Sequence, residues 1–324
     1  MSNSIEAVWK TVREIKVDDI RKASLKPLKV ALIGGEDDLT WLQSRFCGNS
    51  SAPGDLRRAT DTLLLFETPV PADCLDAINA CAFVCATPTA AGDLQTQRQV
   101  VKAPLYTIGS EGEWSHFTLE VLDTRADLHL ALSRNLPGLR PHIVDYIVTN
   151  TACVNAEVAV ISAAAASIPG IGPIYPGIAF GDTVILTKNQ VMMAFRLAGA
   201  CGLSIDIVHL KGEVLAIIGG GLGWRTLARE MVGALPVLGI PLKGAVAYAG
   251  TYAVGVALAR YFTTGSRLSR SEEQAVYQKA MQRGRAVAAD ALSRVKRKAR
   301  FRRAGHKPDH PQTPEPHSGT IPAH

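Results

Sequence analysis

Few of the residues that most often announce a chemistry occur in this sequence. Six cysteines (47, 74, 81, 85, 153 and 201) are spread over 324 residues and form no C-x-x-C pair. Cys81 and Cys85 stand four apart inside the strand-like Ala80–Ala86, and nothing nearby completes a ligand set, which excludes a sequence-encoded zinc site. Buried free thiols in a reducing compartment are expected instead. Four of the eight histidines (306, 310, 317 and 324) lie at the carboxyl-terminal end, at spacings that give adventitious metal binding at most. Neither G-x-S-x-G nor H-E-x-x-H occurs. Aromatics make up 6% of the residues, too few for a platform on which bases stack. Val158–Gly181 runs 24 residues without a charge but contains Pro169, Pro173 and Pro176, so it cannot be one regular spanning helix. Met1–Lys29 is charged and patterned rather than continuously apolar, so no secretory signal is expected and a cytoplasmic location follows.

Hydrophobic residues account for 47% and charged residues for 20%, enough to bury a sizeable core and too apolar for wholesale disorder. The length suits two domains with flanking segments. The formal charge is +6 and unevenly placed. Residues 294–324 hold eight Lys/Arg against Asp309 and Glu315. Removing these from the totals of 35 basic and 29 acidic residues leaves 27 of each in the first 293 positions. The body is neutral, and the pI of about 9.0 belongs to its end.

Apolar positions at Ile5, Val8, Trp9, Val12, Ile15 and Ile20 predict an amphipathic helix within residues 1–27, closed by Pro27. From Leu28 to about Arg125 short apolar runs alternate with helical or polar segments. Leu28–Ile33, Leu63–Phe66, Ala80–Cys85, Leu105–Ile108 and Thr118–Leu122 read as strands. Asp38–Cys47, Pro71–Asn79 and Ala90–Val101 read as helices or loops. This alternation predicts an α/β domain over 28–125 with a mostly parallel sheet covered on both faces. After Pro137 the alternation stops. Helices are expected over Leu139–Ala164, Lys188–Gly202, Glu213–Leu235 and Leu242–Phe262, giving an all-α domain over 126–293. A last amphipathic helix starts near Ser269 with Glu272 and Glu273 in its first turn and runs basic at its end. The stretch 294–324 reads as a basic, then disordered tail.

The first strand leads into Gly34-Gly35-Glu36-Asp37-Asp38-Leu39-Thr40-Trp41. A phosphate-binding G-x4-G-K-[ST] loop needs a second glycine, a lysine and a hydroxyl where Leu39, Thr40 and Trp41 stand. Glu36, Asp37 and Asp38 place like charge where phosphate oxygens would go. Glu67-Thr68-Pro69-Val70 follows a later strand as D-T-P-G does in small GTPases, with Val70 in place of the glycine. Gly109-Ser110-Glu111-Gly112 stands where the guanine-reading N-K-x-D would be. In order and spacing these pieces resemble a Ras-like GTPase domain of the Era type over Leu28–Arg125. The resemblance implies a degenerate P-loop fold, nucleotide positions emptied of their chemistry, no cofactor and no catalytic residue. An unrelated three-layer domain remains the alternative, since several doubly wound folds share such alternation.

In the second half, Leu136-Pro-Gly-Leu-Arg140 and Lys188-Asn-Gln-Val-Met-Met-Ala-Phe-Arg196 are followed by Gly219-Gly-Gly-Leu-Gly-Trp-Arg225-Thr-Leu-Ala-Arg229-Glu230 and Pro236-Val-Leu-Gly-Ile-Pro-Leu-Lys243, ending at Tyr248-Ala-Gly-Thr251. Together they resemble a helical module found fused to GTPase domains and catalogued as domain of unknown function 697, over about 136–262. That implies architecture and company rather than a reaction. Gly219 and Gly223 lie four apart, a spacing that lets helix backbones approach closely, and they do not fit a dinucleotide fingerprint. Arg225 and Arg229 share a helical face in an apolar run, so they need carboxylates, for which Glu157, Asp182 and Glu230 are the candidates.

Three classes of function stay open. One is a non-enzymatic regulatory or scaffold protein at the inner face of the cell membrane, with an unidentified protein partner. The others are a residual GTP-binding protein or GTPase and a soluble interaction module. Lys296, Arg297, Lys298, Arg300, Arg302 and Arg303 are the candidates for an anionic membrane surface, at about 1 kcal/mol each near anionic lipid. Nucleic acid is the less favoured partner, because Phe301 is the one aromatic in the run and no reading module surrounds it.

Overall fold

A computed structural model describes residues 17–96, 101–167, 182–205 and 239–305. The protein is mostly helical, with a small all-parallel sheet in its amino-terminal half. Helix α1 (Val17–Ser24) leads into β1 (Val30–Gly34), α2 (Glu36–Cys47), α3 (Pro53–Thr62) and β2 (Leu63–Glu67). A 3-10 turn (Ala72–Cys74) and α4 (Leu75–Asn79) precede β3 (Phe83–Ala86), α5 (Pro88–Thr96), β4 (Leu105–Thr107) and α6 (Glu111–Thr124). The remainder is helical: α7 (His129–Asn135), α8 (Arg140–Ser167), α9 (Asp182–Ala200), α10 (Ile240–Thr264) and α11 (Arg270–Gly305).

The strands lie in the order β2-β1-β3-β4, all parallel, with Val30 opposite both Leu63 and Phe83. Every residue of β1 is buried, which is why this strand reads as an unbroken apolar run rather than an alternating one. Its side chains divide between two faces. Val30 and Leu32 join a core with Leu42 and Phe46 of α2 and Phe117 of α6, whereas Ala31 and Ile33 pack with Ile78, Ala90 and Leu94.

Thr118–Leu122 is not a strand, as its alternation suggested, but the second half of α6. Ser110 Oγ accepts the Glu113 N–H at 3.3 Å, while the Glu113 carboxylate takes the Gly109 N–H at 2.8 Å and the Ser110 hydroxyl at 3.0 Å. This capping box starts a helix that buries Trp114, Phe117 and Val121 at helical spacing. Ser110→Ala is expected to cost about 1 kcal/mol, measured as a lower urea midpoint with an unchanged m-value. Ser269 and Glu272 build the same box at the start of α11.

The two halves are not separated by a solvated seam. One hydrophobic cluster runs from β1 and α6 through Leu132, Ile143, Val148 and Met193 to Tyr248 and Tyr277. The helices around it have defined directions. Val148, at the start of α8, lies against Gly255 near the end of α10, and Val160, near the end of α8, against Gly244 near the start of α10. Glu157 of α8 pairs with Arg294 of α11, and Ala164 meets Val295. Thus α8 and α11 run parallel, and α10 runs against both. Buried residues of α11 recur at Tyr277, Met281, Ala288, Ala291 and Val295, a seven-residue repeat facing α8 and α10. At mid-bundle the fully buried Asn155 donates to Thr251 Oγ1 at 2.9 Å and accepts from Asn189 at 2.8 Å, tying α8, α9 and α10 in one register.

Both α8 and α10 are long and apolar enough to cross a membrane, yet 61% and 50% of their apolar stretches are buried inside the protein. The basic run expected at the end of the last helix is helical as far as Gly305, forming the last turns of α11. The amino-terminal half of the first amphipathic helix, the helix expected over Glu213–Leu235 and the end of the chain beyond 305 fall outside the described residues, as does the later part of Val158–Gly181.

Candidate functional site

The strand order reverses between β1 and β3, with β2 added on one side of β1 and β3 on the other, and doubly wound folds bind ligands outside the carboxyl ends of the strands at such a point. Here β1 ends at Gly34 and α2 begins at Glu36, so a single residue, Gly35, forms the turn. The positions aligned with a phosphate loop are therefore helical. Leu39 is buried in the core, the Thr40 hydroxyl donates to the Glu36 carbonyl, and Trp41 lies under the Arg45 guanidinium at 5.6 Å. What is missing is the loop itself, and not only its lysine and hydroxyl.

The crevice is filled by the chain's own groups. Thr87, just after β3, donates its N–H to the Ile33 carbonyl at 3.0 Å, and a Cβ on Gly34 would come within 3.1 Å of its methyl. A Cβ on Gly109 would meet Pro88 at 2.7 Å. The Thr68 N–H donates to the Gly34 carbonyl at 3.2 Å, pulling the segment after β2 over the same spot. Glu67 pairs in register with Gly34, and Val70 is buried in the second core. Glu36, Asp37 and Asp38 occupy the first turn of α2, where the macrodipole favours negative charge. They take electrostatically the place a phosphate would want. Among the described residues no group of three His, Cys, Asp or Glu can hold a metal. The six cysteines are free, and burial pushes the Cys85 thiol well up and the Cys201 thiol up to about 11. Neither is a nucleophile at neutral pH.

Sequence reasoning missed the most strongly tied polar cluster. Asp55 on α3 is buried and receives Arg140 Nη1 at 2.7 Å and Nη2 at 2.9 Å, Ser50 Oγ at 2.7 Å, and Arg58. Arg140 Nε also donates to the Ser133 carbonyl at 3.1 Å. Burial alone would raise the Asp55 carboxyl, but the hydrogen bonds from Arg140 and Ser50 and the charges of Arg140 and Arg58 outweigh it and hold the pKa at about 2. Arg140 opens α8, so this cluster joins the α/β half to the bundle. It also borders an open cleft of about 450 Å³, walled by Pro137, Val144, Val148 and Val256 with Arg260 at its side and no residue from the strand ends.

Of the ion-pair candidates, Glu157 is engaged by Arg294, an arginine from the basic run. Asp182 opens α9, while Arg225, Arg229, Glu230, Gly219 and Gly223 lie outside the described residues. On α11, Lys296, Arg297, Lys298 and Arg300 are all exposed, with Phe301 among them. Arg302 and Arg303 continue the same helix. No family model, no curated protein and no solved structure matches this chain.

Proposed function

We propose that this protein is a non-enzymatic regulatory or scaffold protein at the inner face of the cell membrane, built on a Ras-like fold that has lost its nucleotide chemistry and continued by a helical unit of the domain of unknown function 697 kind. The observation that carries the reading is the one-residue turn from β1 into α2, with Thr87 and three carboxylates where phosphates would sit. The order β2-β1-β3-β4 is compatible with a Ras-like core, and other doubly wound folds share it. Two long apolar helices and a basic helix end support the membrane-proximal part.

The test is a thermal shift with GTP and GDP in the presence of magnesium. Ligand at 100 times its Kd would stabilise the protein by about 2.7 kcal/mol, so a micromolar site would be plain at submillimolar nucleotide. No shift and no turnover are expected. A saturable shift with magnesium-dependent hydrolysis that a Gly34 substitution abolishes would establish the GTPase reading instead. The soluble interaction module is favoured by one feature, the charged α11 packed along both apolar helices. Cell fractionation separates the two readings: a membrane-proximal protein sediments with membranes and is released by salt or an alkaline wash, and a soluble module stays in the supernatant.

A further inference from the structure

The basic run lies at a defined place in the bundle. Ala164 and Val295 cluster with Ile161, Ala165, Ile240, Leu292 and Ala299, so the end of α8, the start of α10 and the last turns of α11 share one tip. The α/β half sits at the other tip, where Asp55 grips Arg140 and the segment around Ser50 meets the start of α8 and the end of α10.

Around Val295, which is buried, the helix presents Lys296, Arg297 and Arg300 outward. No ion pair among the described residues involves these three, whereas Arg294 is held by Glu157 and by Asp290 at 3.3 Å. Phe301, one turn beyond Arg297 at the edge of this face, is 73% exposed, the most exposed large hydrophobic side chain among the described residues. A phenyl ring left in water amid arginines gains nothing from the protein's own core. Interfacial helices combine a cationic face with an aromatic that enters the acyl boundary.

We infer that this tip docks end-on to an anionic bilayer, with Phe301 inserted and Lys296, Arg297 and Arg300 on the lipid headgroups. The inference rests on the membrane-proximal reading and names the surface that serves it. A bilayer fits better than nucleic acid on two counts. The first 293 residues are charge-neutral and add no net positive charge toward a phosphate backbone. Phe301 is also the one aromatic in the basic run, where single-strand binding needs several to stack successive bases.

The experiment is co-sedimentation of the full chain with vesicles of phosphatidylcholine containing 0 to 40% phosphatidylserine, in low and high salt, beside a labelled DNA duplex. Wild type is expected to bind only the anionic vesicles and to weaken as salt shortens the Debye length. Phe301→Ala is expected to lower partitioning about tenfold, as loss of one buried aromatic implies, and Phe301→Trp to restore it with blue-shifted fluorescence in vesicles. The combined change of Lys296, Arg297 and Arg300 to Gln is expected to lower it about a hundredfold, from about fivefold per charge. All four positions are exposed, so circular dichroism and melting should be unchanged. Vesicle binding that neither variant alters would overturn this surface while leaving the membrane reading intact. Duplex binding lost in the charge variant, with no vesicle binding at any composition, would overturn both.

Discussion

Asp55→Ala is expected to remove about 3–5 kcal/mol of stability, because it strands Arg140 and Arg58 at the join between the two halves without a counter-charge. Asp55 is 8% exposed and Arg140 12%, so water replaces little of what is lost. Replacing Asp55 and Arg140 together by Leu and Met should recover much of the loss, since it takes away both charges rather than one. The pH dependence has a fixed sign. The folded-state pKa of about 2 lies below the ordinary value of 3.8, so this contribution is complete above about pH 4 and disappears as pH falls through 2. It amounts to about 2 kcal/mol. Urea midpoints measured from pH 7 to pH 2 should fall more steeply in wild type than in the paired Leu/Met variant. Equal slopes would show that Asp55 is not the group responsible.

Gly138→Ala has the second large expected effect. The Gly138 N–H donates to the Phe46 carbonyl at 2.8 Å, and a Cβ at this position would overlap the Arg45 carbonyl oxygen and come within 3.0 Å of the Phe46 oxygen. Both obstacles are backbone at the end of α2, and backbone does not rotate away as a side chain does. Overpacking costs about 1–3 kcal/mol when side chains give way, and more when they do not, so a loss of about 3 kcal/mol or more is expected. Thermal unfolding checks it: a melting temperature within a degree of wild type would mean that the segment can lift off α2.

These two positions explain the motif Leu136-Pro-Gly-Leu-Arg140. Leu136 and Leu139 are core residues, Gly138 permits contact with α2, and Arg140 is the partner of Asp55. The sequence shows the motif but not its reason, because Asp55 and Arg140 are 85 positions apart. Helix α3 stayed unseen for a related cause. Its buried positions are Asp55, Ala59 and Thr62, so it carries no apolar stripe for periodicity to find. The central strands β1 and β3 were legible because buried parallel strands are continuous apolar runs, whereas the edge strands β2 and β4 show as apolar runs although they are only partly buried. The misreading of Thr118–Leu122 shows the converse: five residues of alternation weigh less than a capping box eight positions upstream. At the nucleotide positions the missing residue types could be read directly. That α2 begins at Glu36 could not, because Glu-Asp-Asp suits a helix start and a loop equally well.

The length of α8 sets a height. Its 28 residues at 1.5 Å each span about 42 Å, from the Asp55 clamp at one tip to the basic face at the other. With that face on a bilayer, the sheet rides roughly five Debye lengths above the headgroups at physiological salt, beyond the reach of lipid charge. The bundle then acts as a strut, and α11, fastened along it by a seven-residue repeat, cannot shorten it by sliding. A partner recognised by the α/β half would have to be reached at that elevation: another peripheral protein of similar stature, or the extramembrane part of an integral one.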